Sequence, residues 1–73
     1  MGGALSDQDL QSLEKFTTPF GAEVELLEVR FEGEVKMLRV RIRQGTRFTD
    51  LDLDPVTAKQ WADRMTAWSG DVL

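Results

Sequence analysis

Three arginines at alternate positions, Arg39, Arg41 and Arg43, are the residues of this chain best suited to binding chemistry. Alternate side chains of an extended strand project from one face at intervals of about 6.7 Å. That repeat is close to the phosphate spacing of an extended nucleic-acid strand. Arg47 and Phe48 follow in the next stretch, and an aromatic ring beside such a row can stack a base. The same row on a solvated sheet face can instead form cross-strand ion pairs, because Asp50 and Asp52 lie within reach. A protein partner with an acidic surface would suit it as well.

For catalysis the chain is poorly equipped. It has no histidine, cysteine or tyrosine, so the commonest zinc ligands, a thiol nucleophile and any disulfide are absent. Ser6, Ser12 and Ser69 fall at helix ends or flexible positions with no base in view. Asp50, Asp52 and Asp54 match the opening of a calcium loop, but the glycine that loop needs is Pro55 and its closing acid is Trp61. The sequence therefore reads as non-enzymatic, with no catalytic residue, no metal and no cofactor.

Charge is unevenly spread. Residues 1–35 carry eight acids against Lys15 and Arg30, a balance of −6. Residues 36–47 carry Lys36, Arg39, Arg41, Arg43 and Arg47 without an acid, +5, and residues 48–73 return to −3, which together give the net charge of −4. A basic band between two acidic stretches is a sign of a partner. The negative total repels nucleic acid at long range, so nucleic acid is not the favoured partner. No apolar run reaches the roughly 20 residues of a membrane span, and residues 1–4 lack a secretory start. No membrane partner is expected, and the cytoplasm is the default compartment.

The elements that must hold these residues follow from local pattern. Ser6 can cap a short helix carrying Leu10 and Leu13; residues 1–13 are expected to be that helix or disordered. A single domain is expected over 14–73. Lys15 to Thr18 suit a short edge strand, turned at Pro19-Phe20-Gly21. Residues 22–31 read as a long strand in which the apolar set changes face between Leu26 and Leu27, which a β-bulge there would explain. Glu32-Gly33 suits a tight turn.

Residues 35–43 alternate, with Leu38, Val40 and Ile42 against Arg39, Arg41 and Arg43. A turn at Gln44-Gly45 places Arg39 opposite Asp50, Arg41 opposite Phe48 and Leu38 opposite Leu51. Asp54-Pro55 opens a helix as N-cap and first residue. On it Ala58, Trp61, Ala62, Met65 and Trp68 form one apolar face, expected to cover Leu38, Val40, Ile42, Leu51 and Leu53. Gly70 reads as the stop. The fold class is α+β: a three- to four-stranded antiparallel meander sheet packed by one C-terminal α-helix.

Two resemblances add to this. Glu14-Lys15-Phe16-Thr17-Thr18-Pro19-Phe20-Gly21, Leu38-Arg39-Val40-Arg41-Ile42-Arg43 and Arg47-Phe48-Thr49-Asp50-Leu51-Asp52-Leu53-Asp54-Pro55 resemble a family of short bacterial proteins of unknown function. That resemblance covers most of the chain and implies no activity. A fainter one is to the single-stranded-DNA-binding domain of the transcriptional coactivator PC4, carried by Val40-Arg41-Ile42-Arg43 and by Leu51 to Trp61. It implies dimerisation through helices and strand binding on the sheet, with Arg39, Arg41, Arg43 and Phe48 as contacts.

Trp61 and Trp68 are either core or, with Met65, a dimer contact. A chain of 73 residues with no disulfide has a thin core, so a homodimer is expected. The expected role is a small interaction domain of unknown function. A single-strand nucleic-acid binder is the alternative.

Overall fold

The computed structural model describes residues Gln8 to Leu73. Four antiparallel strands follow one another in the sheet in chain order: β1 (Gln8–Thr17), β2 (Ala22–Phe31), β3 (Lys36–Gln44) and β4 (Arg47–Leu53). One α-helix, α1 (Pro55–Val72), follows β4 among the described residues. This is the α+β meander with one C-terminal helix that the alternation pattern implies.

β1 corrects the N-terminal expectation. From Gln8 onward the chain is strand, not helix; Ser6, the proposed cap, lies outside the described residues. Leu10 pairs with Val29, while Leu13 sits in a register shift, with Ser12 opposite Leu27 and Glu14 opposite Leu26. The three-residue spacing of the two leucines that resembles a helical face is thus a strand with one extra residue. The bulge foreseen at Leu26-Leu27 belongs to the opposite strand. β2 itself runs unbroken against β3, Leu26 on Val40 and Leu27 on Arg39. The change of apolar face in β2 is real and serves both sides of the sheet. Val24 and Leu26 join Val40 and Ile42, whereas Leu27 and Val29 fill the arginine-bearing face.

The β3–β4 turn also differs from expectation. Gln44 pairs with Arg47, so Gly45 and Thr46 are the turn residues. Gly45 has φ +63°, the left-handed region that the first central residue of a type II′ hairpin turn requires. The register moves by two residues: Arg39 faces Asp52, Arg41 faces Asp50, Arg43 faces Phe48 and Leu38 faces Leu53. A shift of two preserves the faces, which is why the alternation could not detect it. At the β1–β2 turn, Gly21 (φ +89°) donates its N–H to the Thr18 carbonyl at 3.1 Å. The Thr18 hydroxyl accepts from the Ala22 N–H at the same distance.

Asp54 caps α1 through its carboxylate, which accepts from the Val56 and Thr57 N–H groups at 3.1 and 3.2 Å. Pro55 occupies the first turn, as the sequence implies. The helix runs through Gly70 to Val72, two residues beyond the expected stop, because Gly70 has no left-handed φ to end it. Its contacts with the sheet fall chiefly on β3 and β4. Leu53 is buried, but Leu38, Val40 and Ile42 are only half-buried and Leu51 is 45% exposed. The helix therefore does not cover the sheet face assigned to it. The chain is drawn out to 50 × 30 × 15 Å, with a radius of gyration of 14.6 Å against about 11 Å for a compact domain of this length. Among the described residues, Leu27, Val29 and Leu53 are the buried hydrophobic side chains.

Candidate functional site

The pairing of β3 with both neighbours fixes the arginine stripe. Because opposed residues of antiparallel strands share a face, Arg39, Arg41 and Arg43 stand in a row flanked by Asp52 and Asp50 on β4 and by Glu25 and Glu23 on β2. Each guanidinium finds a carboxylate. Arg39 is bidentate on Asp52, Nε donating to Oδ1 at 2.7 Å and Nη2 to Oδ2 at 2.9 Å. Arg41 grips Asp50 in the same way at 3.0 and 3.1 Å. Arg43 donates through Nε to Glu23 at 3.0 Å and through Nη1 to the Gly45 carbonyl at 3.4 Å.

These bonds set the protonation of the face. The hydrogen bond from Arg41, opposed in part by desolvation, holds the Asp50 carboxyl below the usual carboxylate range. That from Arg39 does the same for Asp52. The corresponding guanidinium groups are pushed further up. All four groups are charged throughout the physiological range. A phosphate arriving here would compete with carboxylates already in bidentate geometry, which is the strong form of this pair.

Among the described residues, Arg47 has no ion-pair partner, and Phe48 is largely exposed opposite Arg43. A shallow depression of about 320 Å³ gathers Lys15, Thr17, Glu23, Glu25, Arg41, Arg43 and Phe48. It brings cations and an aromatic together as the sequence suggests, but with two glutamates among them. Glu23 is the member that inspection of β3 and β4 alone misses. The ten-residue strand at 22–31, paired with β3 through the four-residue connection 32–35, is the signal that would have placed it opposite Arg43.

Asp50, Asp52 and Asp54 do not converge. The first two hold arginines, and the third holds the start of α1, where the Thr57 hydroxyl bond keeps its carboxyl below the usual range. No group of three or more metal-ligating side chains is gathered among the described residues. The Ser69 hydroxyl donates to the Thr66 carbonyl at 3.1 Å, and Ser12 lies in β1 beside the bulge. No helix among the described residues is long and apolar enough to cross a membrane.

The second candidate surface is the helix. Trp61, Met65 and Trp68 are 40%, 61% and 60% exposed, and Val72 continues the same row at 63%. They stand at four-, three- and four-residue intervals along α1, one stripe of the helix surface. The chain's largest apolar side chains on this element therefore point away from its own core.

A family model, the family of unknown function DUF6967, matches residues 7–71. The chain belongs to this family. The match runs from the start of β1 almost to the end of α1, so the DUF6967 unit includes both the arginine face and the exposed helix row. No curated protein and no solved structure matches the chain. The function of the family is unknown, in keeping with a sequence that points to no specific role.

Proposed function

We propose that this domain is a non-enzymatic interaction module that works as a homodimer, joined through the α1 row of Trp61, Met65 and Trp68. The observation behind this reading is the exposure of both tryptophans. At 40% and 60% they leave in water the equivalent of one whole indole side chain per protomer. That is about 250 Å², worth roughly 6 kcal/mol if removed from water at about 25 cal/mol per Å². Three buried hydrophobic side chains among the described residues make a thin core for a domain that has no disulfide. A partner subunit stabilises such a chain by mass action.

The test uses the intrinsic fluorescence, which comes only from α1 because the chain has two tryptophans and no tyrosine. Dilution from roughly 100 μM to 100 nM spans the dissociation constants of ordinary dimers. The emission maximum is expected to move to longer wavelength on dilution as the indoles meet water. An emission already that of exposed indole at the highest concentration, and constant thereafter, contradicts the reading.

A single-strand nucleic-acid site on the arginine face is the second reading, favoured by the depression that joins Lys15, Arg41, Arg43 and Phe48. It predicts that a short oligonucleotide shifts the amide resonances of Arg39 through Phe48 and that salt reverses the shifts. Absence of shifts at millimolar oligonucleotide removes it.

A further inference from the structure

The α1 row has a finer pattern than mere exposure. Ala58, Trp61, Met65, Trp68 and Val72 alternate intervals of three, four, three and four, the spacing of a coiled-coil seam. At 100° per residue the two flanks of that seam differ. Arg64 and Asp71 lie on one flank, seven residues apart; Ala62 and Ser69 lie on the other. Among the described residues neither Arg64 nor Asp71 has an ion-pair partner, whereas Lys59 and Asp63, on the back of the helix, pair with each other at 2.9 Å. One flank thus holds two opposite charges that cannot reach each other along their own helix, because seven residues are about 10.5 Å apart along the axis.

We infer that the occupant of this face is α1 of a second copy, packed antiparallel, with Arg64 of each protomer paired to the partner subunit's Asp71. This rests on the homodimer proposed above and specifies its geometry. In an antiparallel seam like flanks meet, so the flank with Arg64 and Asp71 faces its own copy in reverse. Trp61 then layers on the partner's Val72, and Met65 on the partner's Trp68. The same two-fold axis brings each arginine to an aspartate twice, an isologous contact. A parallel pair would set Arg64 against the uncharged flank of Ala62 and Ser69 and leave both charges alone. The antiparallel seam is the arrangement that covers the apolar row and neutralises the flank together.

Charge reversal tests the register. Arg64→Asp and Asp71→Arg each place like charges across both ends of the seam. Each is expected to weaken association about tenfold, read by sedimentation velocity, at the scale of two surface ion pairs lost per dimer. The double variant R64D/D71R restores the pairs in exchanged order and is expected to return the association to within about twofold of the wild type. Both substitutions are on exposed helix positions, and circular dichroism reports whether α1 remains formed in all three variants. A wild-type chain that stays monomeric overturns both the homodimer and this geometry. A dimer whose single variants associate normally, or whose double variant is not rescued, overturns the antiparallel seam and leaves the homodimer standing.

A geometric measurement decides the same point without relying on charge. The chain has no cysteine, so Gln60→Cys takes a single spin label. Six and a half residues separate position 60 from the two-fold axis between Met65 and Trp68. The two labels are therefore displaced by about 20 Å along the helices if these are antiparallel, and by nothing along that direction if parallel. A label separation near 10 Å, the interaxial spacing alone, overturns the proposal.

Discussion

Removing the Arg39–Asp52 pair should destabilise the fold more than removing Arg41–Asp50, although both are bidentate and adjacent on one sheet face. The Arg39 and Asp52 side chains are 16% and 28% exposed, and their bonds are 2.7 and 2.9 Å. The Arg41 and Asp50 side chains are 33% and 40% exposed, and their bonds are 3.0 and 3.1 Å. Solvent screening acts more strongly on the second pair. Exposed pairs couple by about 0.2–1 kcal/mol, and fixed bidentate geometry with partial burial moves a pair to the top of that range. The expected coupling is about 1 kcal/mol for Arg39–Asp52 and about 0.3 kcal/mol for Arg41–Asp50.

The single truncation Arg39→Ala should cost more, about 1.5–2 kcal/mol. It leaves the Asp52 carboxylate without its bidentate partner and removes an alkyl stem from the sheet face shared with Leu27, its cross-strand partner on β2. Urea unfolding of wild type, both single variants and the double variant gives each coupling as a double-mutant cycle. All four proteins are compared at one concentration, because association contributes to apparent stability. Equal couplings, or a larger one for Arg41–Asp50, would refute the assignment of the stripe as a graded structural network.

Acid should weaken the fold in a defined window. Asp50 and Asp52 have depressed carboxyl values in the folded chain because guanidinium groups bond their charged forms. The unfolded chain therefore binds protons first on acidification. Their contribution is complete above the ordinary carboxylate value of about 4 and is lost as pH falls through the depressed folded values. Urea midpoints at pH 7 and 3 should differ less in the D50N/D52N variant than in wild type; an undiminished acid loss contradicts this. Asp54→Ala removes the acceptor for two backbone N–H groups and should lower both the thermal midpoint and the helicity by circular dichroism. An unchanged thermal midpoint would show that α1 is held by something other than its cap. Glu34 has φ +66° without being glycine. Glu34→Gly relieves about 1–2 kcal/mol of left-handed strain and gives back part of it in chain entropy, for a net gain of roughly 0.5 kcal/mol. A lower melting temperature would contradict it.

The sheet and the helix were legible because their patterns are long. The six residues Leu38 to Arg43 alternate cleanly, and Asp54-Pro55 opens a helix by two independent devices. Register was harder to read. The faces of β3 and β4 are the same whether Arg39 meets Asp50 or Asp52, so only the choice of Gly45 as the first central turn residue separates the two. β1 was misread at its start because a bulge at Leu13 produces the three-residue spacing that a helix also produces. The stripe itself was placed correctly on one face. Its third carboxylate, Glu23, was missed because it comes from the strand on the other side. The apolar face of α1 was read correctly, but no local pattern says which surface it meets. Amphipathic periodicity specifies that a face needs cover and is silent about whether the same chain supplies it.

Sedimentation equilibrium of the wild-type chain at tens of micromolar, beside the Trp68→Ala variant, tests the homodimer most directly. The expected result is a wild-type mass of twice the 8.3 kDa chain and a variant mass that falls toward a single chain at the same concentration. A wild-type mass of one chain throughout, with α1 folded, would contradict the account.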